Sequence, residues 1–226
     1  MVNFENLNLI VTSDGSHSIF VPELNESYHS THGAMQESLH VFIESGFRRI
    51  QTGPDPVSLL EVGFGTGLNA LLTQIEAETL GKKVRYTAIE AFPLGPGIWE
   101  NLNYPKQLCP IDYSPVFEKL HLAGWGKTEV LSNFFSIHKI HSKLQDYSPE
   151  PNQFDVVYFD AFSPASQPEL WTTAIFLKIY LAMKPGAVLT TYSVKGDVIR
   201  SMQAAGFTTE KIPGPPGKRQ ITRAIK

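Results

Sequence analysis

"LLEVGFGTGLNALL", residues 59 to 72, carries an apolar run into a turn with glycines at 63, 65 and 67, then out into a second apolar run. The first run belongs to "VSLLEVG", which suits a strand buried on both faces; "LNALLTQIEAETLG" has helical spacing and a glycine stop. A glycine turn between strand and helix lets backbone pass close under a ligand where a side chain would collide. The spacing here is Gly-x-Gly-x-Gly. A dinucleotide fingerprint reads G-x-G-x-x-G/A, and its third small position is occupied by Leu68. A triphosphate loop needs Gly-Lys-Ser/Thr, whereas Asn69 and Ala70 follow Leu68. Both nucleotide classes are disfavoured.

Outward from the turn, "KVRYTAIEAF" reads as a second strand that ends in an acid, Glu90. Strand, helix and strand make a right-handed parallel unit. The alternation continues through "FDVVYFDAF" (strand), "PELWTTAIFLKIYLAMKPG" (helix with a Pro-Gly stop), "AVLTTYS" (strand) and "KGDVIRSMQAAG" (helix). "FTTEKIP" and "RQITRAIK", joined through "GPPGK", read as an antiparallel pair at the sheet edge. The pattern predicts an α/β fold with an open, doubly wound, mostly parallel sheet, whose ligands bind beyond the carboxyl ends of the strands. Before it, "NLNLIVT" and "HSIFVP" flank "SDGS", a hairpin signal, and Met35, Leu39, Phe42 and Ile43 share one face of a helix ending near Gly46. Ser30 or Thr31 would cap that helix. Residues 92 to 150 are rich in Pro, Asn and Tyr and show little pattern beyond a hairpin about Ser132 and Asn133. The 226 residues are expected to form a single domain, with an N-terminal extension over 1–50 and a core over 57–226.

With 42% hydrophobic and 18% charged residues, disorder and fibrous folds are excluded. The lone cysteine, Cys109, cannot form an internal disulfide and reads as a packing residue in a reducing compartment. "MVNFENLNLIVTSDG" lacks the basic start and apolar core of a secretory signal, and no 18-residue apolar run occurs, so no membrane association is expected and a cytoplasmic location is. A net charge of -3 argues against a uniformly basic surface. A local exception is the acid-free segment holding Lys211, Lys218, Arg219, Arg223 and Lys226. His138 and His141, without an adjacent Cys or acid, are too little for a metal site, and none is expected.

Glu61 extends the turn to E-x-G-x-G-x-G, which resembles the first motif of class I S-adenosylmethionine-dependent methyltransferases with their Rossmann-like sheet. Glu90 fits the same pattern, as an acceptor for two vicinal ribose hydroxyls. The expected cofactor residues are Glu61, which orients the methionine amine or holds the turn, with Gly63, Gly65, Gly67, Asn69 and Glu90. Together with "IEAFPL", "YHSTHGAMQESLHVF" and "FDVVYFDAFSPASQPELWT", the motif resembles the methyltransferase module of the MnmC family, from about residue 20 onward.

That resemblance implies methylation of the primary amine of 5-aminomethyl-2-thiouridine at the tRNA wobble position, with S-adenosyl-L-methionine as donor and S-adenosylhomocysteine as product. It also implies a methyltransferase module without the fused oxidase and its flavin, because no second glycine-rich dinucleotide unit is present. Asp160, at the tip of the fourth core strand, is expected to orient the amine and take its proton. Phe162, Ser163 and Pro164 would flank the extruded base, and Tyr28, Ser30 and Glu37 would form the substrate side of the pocket. Tyr192 and Lys195, at the end of the fifth core strand, are further expected substrate-side residues, Lys195 toward a phosphate; Lys218 and Arg219 would meet RNA phosphates near the anticodon. Trp171 reads as packing. The family's usual acid for the adenine has no counterpart in "FFSIHKIHSKLQDY" before Asp146. No obligate protein partner is implied. A small-molecule N-methyltransferase, an aminopropyl transferase of the same fold, and a non-catalytic cofactor-binding module are the competing readings.

Overall fold

The computed structural model describes residues 6–50, 56–108 and 110–226; Cys109, assigned to packing, lies outside them. The chain enters through a hairpin, β1 (Asn8–Val11) and β2 (His17–Val21), whose antiparallel register turns on "SDGS" as the Asp-Gly signal predicts; a short β3 (Glu26–Ser27) pairs with β2.

The helix expected to run from residue 35 to 46 is instead broken in two. A single α-helical turn, α1 (Ala34–Ser38), passes into a wider π-helical stretch over Leu39–Glu44, followed by a 3-10 turn at Phe47–Arg49. Gly33 precedes α1, and neither Ser30 nor Thr31 caps it. The free N–H groups of Ala34 and Met35 reach the Ser16 hydroxyl, and that of Gln36 reaches the Asp14 carboxylate, so the hairpin loop caps the helix from outside.

The main sheet has eight strands in the order β10 (Thr208–Pro213), β11 (Gln220–Ile225), β9 (Met183–Thr191), β8 (Phe154–Phe159), β4 (Val57–Val62), β5 (Val84–Glu90), β7 (Phe135–His141) and β6 (Thr128–Val130). β4 (Val57–Val62), α2 (Leu68–Leu80) and β5 (Val84–Glu90) form the predicted parallel unit, closed by Gly81 in the left-handed conformation. Three short helices follow, α3 (Pro96–Trp99), α4 (Tyr104–Gln107) and α5 (Ser114–Leu122), before the hairpin of β6 (Thr128–Val130) and β7 (Phe135–His141). β8 (Phe154–Phe159) is parallel to β4 on its other side. α6 (Thr173–Ala182) is shorter than the sequence suggests: β9 (Met183–Thr191) begins at once and absorbs "KPG" as an irregularity in its pairing with β8. α7 (Gly196–Ala204) leads to the expected antiparallel edge pair, β10 (Thr208–Pro213) and β11 (Gln220–Ile225).

Alternation along each central strand sends side chains into two cores. Leu59, Tyr86 and Tyr158 join Leu71 of α2 and Phe42 of the π-helical stretch on one face; Leu60, Val157 and Phe159 join Phe176 of α6 and Met202 of α7 on the other. The chain leaves β4 for β5 on one side and later returns to β8 on the other. The crevice beyond β4 and β8 is therefore the switch point where an open α/β sheet binds its ligand. Among the described residues no helix is long and apolar enough to cross a membrane.

Candidate active site

The glycine turn sits at that switch point. Gly63, Gly65 and Gly67 all have left-handed backbone, with φ of 89°, 49° and 75°. A Cβ at Gly63 would stand 2.7 Å from the Asp160 carbonyl oxygen, one at Gly65 3.0 Å from the Tyr28 ring, and one at Gly67 2.8 Å from His121 Nε2. The glycines thus admit neighbouring protein on one side of the turn while Gly63 and Gly65 line the cleft on the other. Glu90, from the end of β5, accepts the Gly65 N–H at 2.9 Å and the Phe92 N–H at 2.8 Å. Burial holds its carboxyl above the usual range, against these backbone hydrogen bonds. Each oxygen keeps a further lone pair for a ligand hydroxyl.

Behind the turn Thr66, His29, Trp99 and Lys139 are buried, and His121 is half-buried among them. His121 of α5 meets the Thr66 carbonyl oxygen at 3.1 Å through Nε2, which must carry the proton, and its ring stacks on Trp99 at 4.6 Å between centroids. Burial pushes this imidazole down to about 3. Lys139 donates to the Leu120 and His121 carbonyls, capping the end of α5, and lies over the Phe64 and Trp125 rings at 5.2 and 4.8 Å; burial brings it down to about 8. Thr66 Oγ1 meets His29 Nε2 at 2.7 Å, tying the N-terminal extension to the turn.

Asp160 faces this wall. Its carboxylate accepts the Asn69 Nδ2–H at 2.8 Å, and its backbone N–H is held by the Val62 carbonyl. Burial first, and then the neighbouring Glu37 charge, push its carboxyl up to about 7 against the Asn69 amide and the Lys218 charge. Glu37 accepts the Ser30 N–H at 2.7 Å and pairs with Lys218, whose ammonium also rests 4.2 Å above the Tyr192 ring. The Tyr192 hydroxyl donates to the Ala161 carbonyl at 2.8 Å. Phe162 meets Tyr28 edge to face at 5.0 Å. The loop that carries Phe162 is bound to β3: Glu26 accepts the Ser163 N–H at 3.0 Å, the Ser166 hydroxyl at 2.5 Å and the Ser163 hydroxyl. Burial raises the Glu26 carboxyl, but these hydrogen bonds outweigh it and hold it below the usual range.

The cleft encloses about 500 Å³. Of the cofactor group, Gly63, Gly65, Asn69 and Glu90 line it; Gly67 lies behind the turn. Glu61 is fully buried beneath and does not line it. It neighbours the Tyr86 hydroxyl and Asn69 without a well-formed hydrogen bond to either, and burial, with the Asp160 and Glu90 charges, lifts its carboxyl well above the ordinary range. Of the substrate group, Tyr28, Ser30, Glu37, Phe162, Ser163, Tyr192 and Lys218 reach the cleft with Asp160, whereas Pro164, Lys195 and Arg219 do not. Trp171 is buried and donates its indole N–H to the Phe162 carbonyl, so its packing also fixes the loop.

The basic tail is not the open patch its composition suggests. Strand pairing sets Arg223 against Glu210 at 2.5 Å, Lys226 donates to the Met183 carbonyl, and Lys218 turns inward; Lys211 and Arg219 are exposed. Sequence reasoning passed over Glu26 and Thr66, single polar residues outside any spaced motif, and placed no residue against an adenine. Phe92, Ser142 and Leu144 form the cleft wall beyond Glu90. Among the described residues no group of three potential ligands could hold a metal.

A pair of ribose hydroxyls suits the free lone pairs of Glu90, and Asn69 Oδ1 is buried without a partner, an acceptor awaiting a donor. The glycine turn, Glu90 on the next strand and the parallel sheet define a class I S-adenosyl-L-methionine-dependent methyltransferase, and residues 132–226 match the family described as S-adenosyl-L-methionine-dependent methyltransferase. Over most of its length the chain is similar to the MnmC proteins. It is 31% identical over 211 residues to the tRNA 5-methylaminomethyl-2-thiouridine biosynthesis bifunctional protein MnmC of Aromatoleum aromaticum, covering 87% of this chain and 32% of that one. It is 29% identical over 216 residues to the protein of the same name from Pseudomonas savastanoi pv. phaseolicola, covering 89% and 32%. The chain therefore spans about a third of the length of these relatives. The crystal structure of MnmC2 from Aquifex aeolicus has the same fold, with a TM-score of 0.76 at 23% identity over 99% of this chain and 72% of that one.

Proposed function

We propose that the protein methylates the primary amine of 5-aminomethyl-2-thiouridine at the wobble position of tRNA, giving 5-methylaminomethyl-2-thiouridine. The observation that carries this reading is the meeting, in one cleft, of the glycine turn with a half-buried Asp160 whose carboxyl lies near neutrality. The MnmC relatives are named for biosynthesis of this nucleoside.

Bound in the cleft, S-adenosyl-L-methionine supplies an electrophilic methyl group. Gly63, Gly65, Asn69 and Glu90 would hold it, with Glu61 and Gly67 shaping the turn from behind. An attacking amine must first lose the proton of its ammonium form. Asp160 Oδ accepts that proton, and a carboxyl near 7 is suited to both taking and releasing it at neutral pH. Asn69 fixes the carboxylate orientation through its 2.8 Å hydrogen bond. The Tyr28 and Phe162 rings offer faces to an extruded base, and Ser30, Ser163 and Tyr192 bound the space around it. Exposed Arg219 and Lys211 would reach phosphates of the anticodon stem-loop, in a cytoplasmic protein whose residues 1–226 form one domain.

The test is incubation with tRNA from cells that lack this activity, followed by nucleoside mass spectrometry. Gain of one methyl group on 5-aminomethyl-2-thiouridine is expected. No gain, in protein shown by calorimetry to bind S-adenosyl-L-methionine, would sink the tRNA assignment and leave the cofactor site standing.

A further inference from the structure

Lys218 stands in a place its sequence context does not suggest. It lies on the turn between β10 and β11, packed so closely on the N-terminal segment that a Cβ at Gly217 would run into the His32 ring. From there its ammonium enters the cleft wall, pairs with Glu37 and covers the Tyr192 ring. Glu37 is almost fully buried, 8% exposed in its side chain, and its other oxygen is taken by the Ser30 N–H. Three segments far apart in the chain, α1, the tip of β8 and the last turn, thus place two carboxylates and one ammonium in one desolvated corner.

We propose that Lys218 is a positioning residue which acts chiefly through Glu37: by pairing with Glu37 it leaves Asp160 as the acid of the corner without an ion-pair partner, ready for a substrate carrying a single primary ammonium. Without Lys218, the two acids would repel, and Asp160 would hold its proton into the range where an amine acceptor needs it removed. The other groups around Asp160 do not substitute for Lys218. Asn69 donates a neutral hydrogen bond, Tyr192 and Tyr86 are phenols held neutral by burial, and Glu61, whose burial favours the uncharged acid, offers no counter-charge. The inference deepens the role given to Asp160 above and rests on it for its catalytic meaning, but the charge arrangement itself can be tested without turnover.

The titration midpoint of the Asp160 carboxyl can be followed by carboxyl ¹³C NMR in the S-adenosylhomocysteine-bound protein, with assignment from Asp160→Asn. Lys218→Met is expected to raise the midpoint by about one unit, Glu37→Gln to lower it, and the double variant to return it close to the parent value, because a neutral pair has then been removed together. Should Lys218→Met not fold, Glu37→Gln alone decides by the sign of its shift. An unmoved midpoint in the foldable single variants, or a double variant that stays raised, overturns the proposal. Because this readout needs no tRNA, it stands apart from failure of the methylation assay. Where the parent turns over, the acid limb of its pH profile must move with the NMR midpoint in each variant.

Discussion

The two walls of the cleft are built on opposite plans. The cofactor wall comes from one continuous piece, β4 through β5, and its working parts are backbone: three left-handed glycines and two N–H groups gathered by Glu90. The substrate wall is assembled from residues 26 to 37, 160 to 167, 192 and 218, and its working parts are side chains paired across long sequence distances: Glu26 with Ser163, Glu37 with Lys218, Phe162 with Tyr28. A wall made of backbone fixes a shape common to many proteins. One made of side-chain pairs can be retuned by single substitutions, and under the proposed function acceptor specificity would belong there.

The comparison breaks most visibly at Asp160, where the walls touch. Asp160→Asn keeps the shape and removes the proton acceptor, so turnover should fall by about 10²-fold or more while the dissociation constant for S-adenosyl-L-methionine stays within about twofold. A matching fall in cofactor affinity would move Asp160 to the other wall. Gly63→Ala attacks the backbone wall: the left-handed conformation costs a side chain about 1–2 kcal/mol, and the new Cβ meets the Asp160 carbonyl at 2.7 Å. Calorimetry should show cofactor affinity weakened by about tenfold or more. Gly97→Ala, where a Cβ meets nothing within 4 Å, is the control and should leave affinity unchanged.

The same contrast explains what the sequence disclosed. Strand, glycine turn, helix and terminal acid lie within 59 to 90, so this part of the fold could be read locally, and Asp160 was singled out by its strand-tip position together with the family resemblance. The substrate wall resisted because its pairs leave no spacing signal. Lys218 looked like an RNA-facing cation since no acid lies near it in the chain, yet Glu37 meets it in space. Arg223 likewise finds Glu210 only through the β10–β11 register. Helices α3 and α4 have four residues each, too few for a helical period, and show themselves only once Trp99, Tyr104 and His121 pack around Phe117. The break after Ser38 was invisible for another reason: Leu39, Phe42 and Ile43 suit the buried face of an α-helix and of the wider π turn alike.

A smaller effect separates loop placement from chemistry. Glu26→Ala removes the acceptor for three hydrogen bonds that hold the Phe162 loop to β3. Charged hydrogen bonds contribute about 1.5–3 kcal/mol at most, and Glu26 is partly solvated, so a fall of about tenfold in kcat/KM for tRNA is expected with unchanged cofactor affinity. Equal loss on both would show that the loop serves the cofactor too.

The smallest effect is one of pH, and it bears on the cofactor wall alone. His121 holds the Thr66 carbonyl from beneath the turn as a neutral ring, and its folded value of about 3 lies below the 6.5 of the free imidazole. A lowered histidine contributes stability that is fully present above pH 6.5. As pH falls below 6.5 the unfolded chain gains a proton which the folded chain refuses until about pH 3, so stability declines across that window, by on the order of 1 kcal/mol per pH unit. His121→Gln retains an N–H donor without a titrating group. Its melting temperature should start lower at pH 7.5, because the stacking on Trp99 is weakened, but should fall less steeply between pH 6.5 and 4 than that of the parent. His29, lowered to about 4 by its own burial, adds a slope in the same direction, while the raised carboxyl of Asp160 adds one of opposite sign that both proteins share, so the comparison of slopes must be made in a shared His29→Gln background. Parallel slopes in that background would mean that His121 titrates in the folded protein much as it does in water, and the buried neutral support under the glycine turn would have to be abandoned.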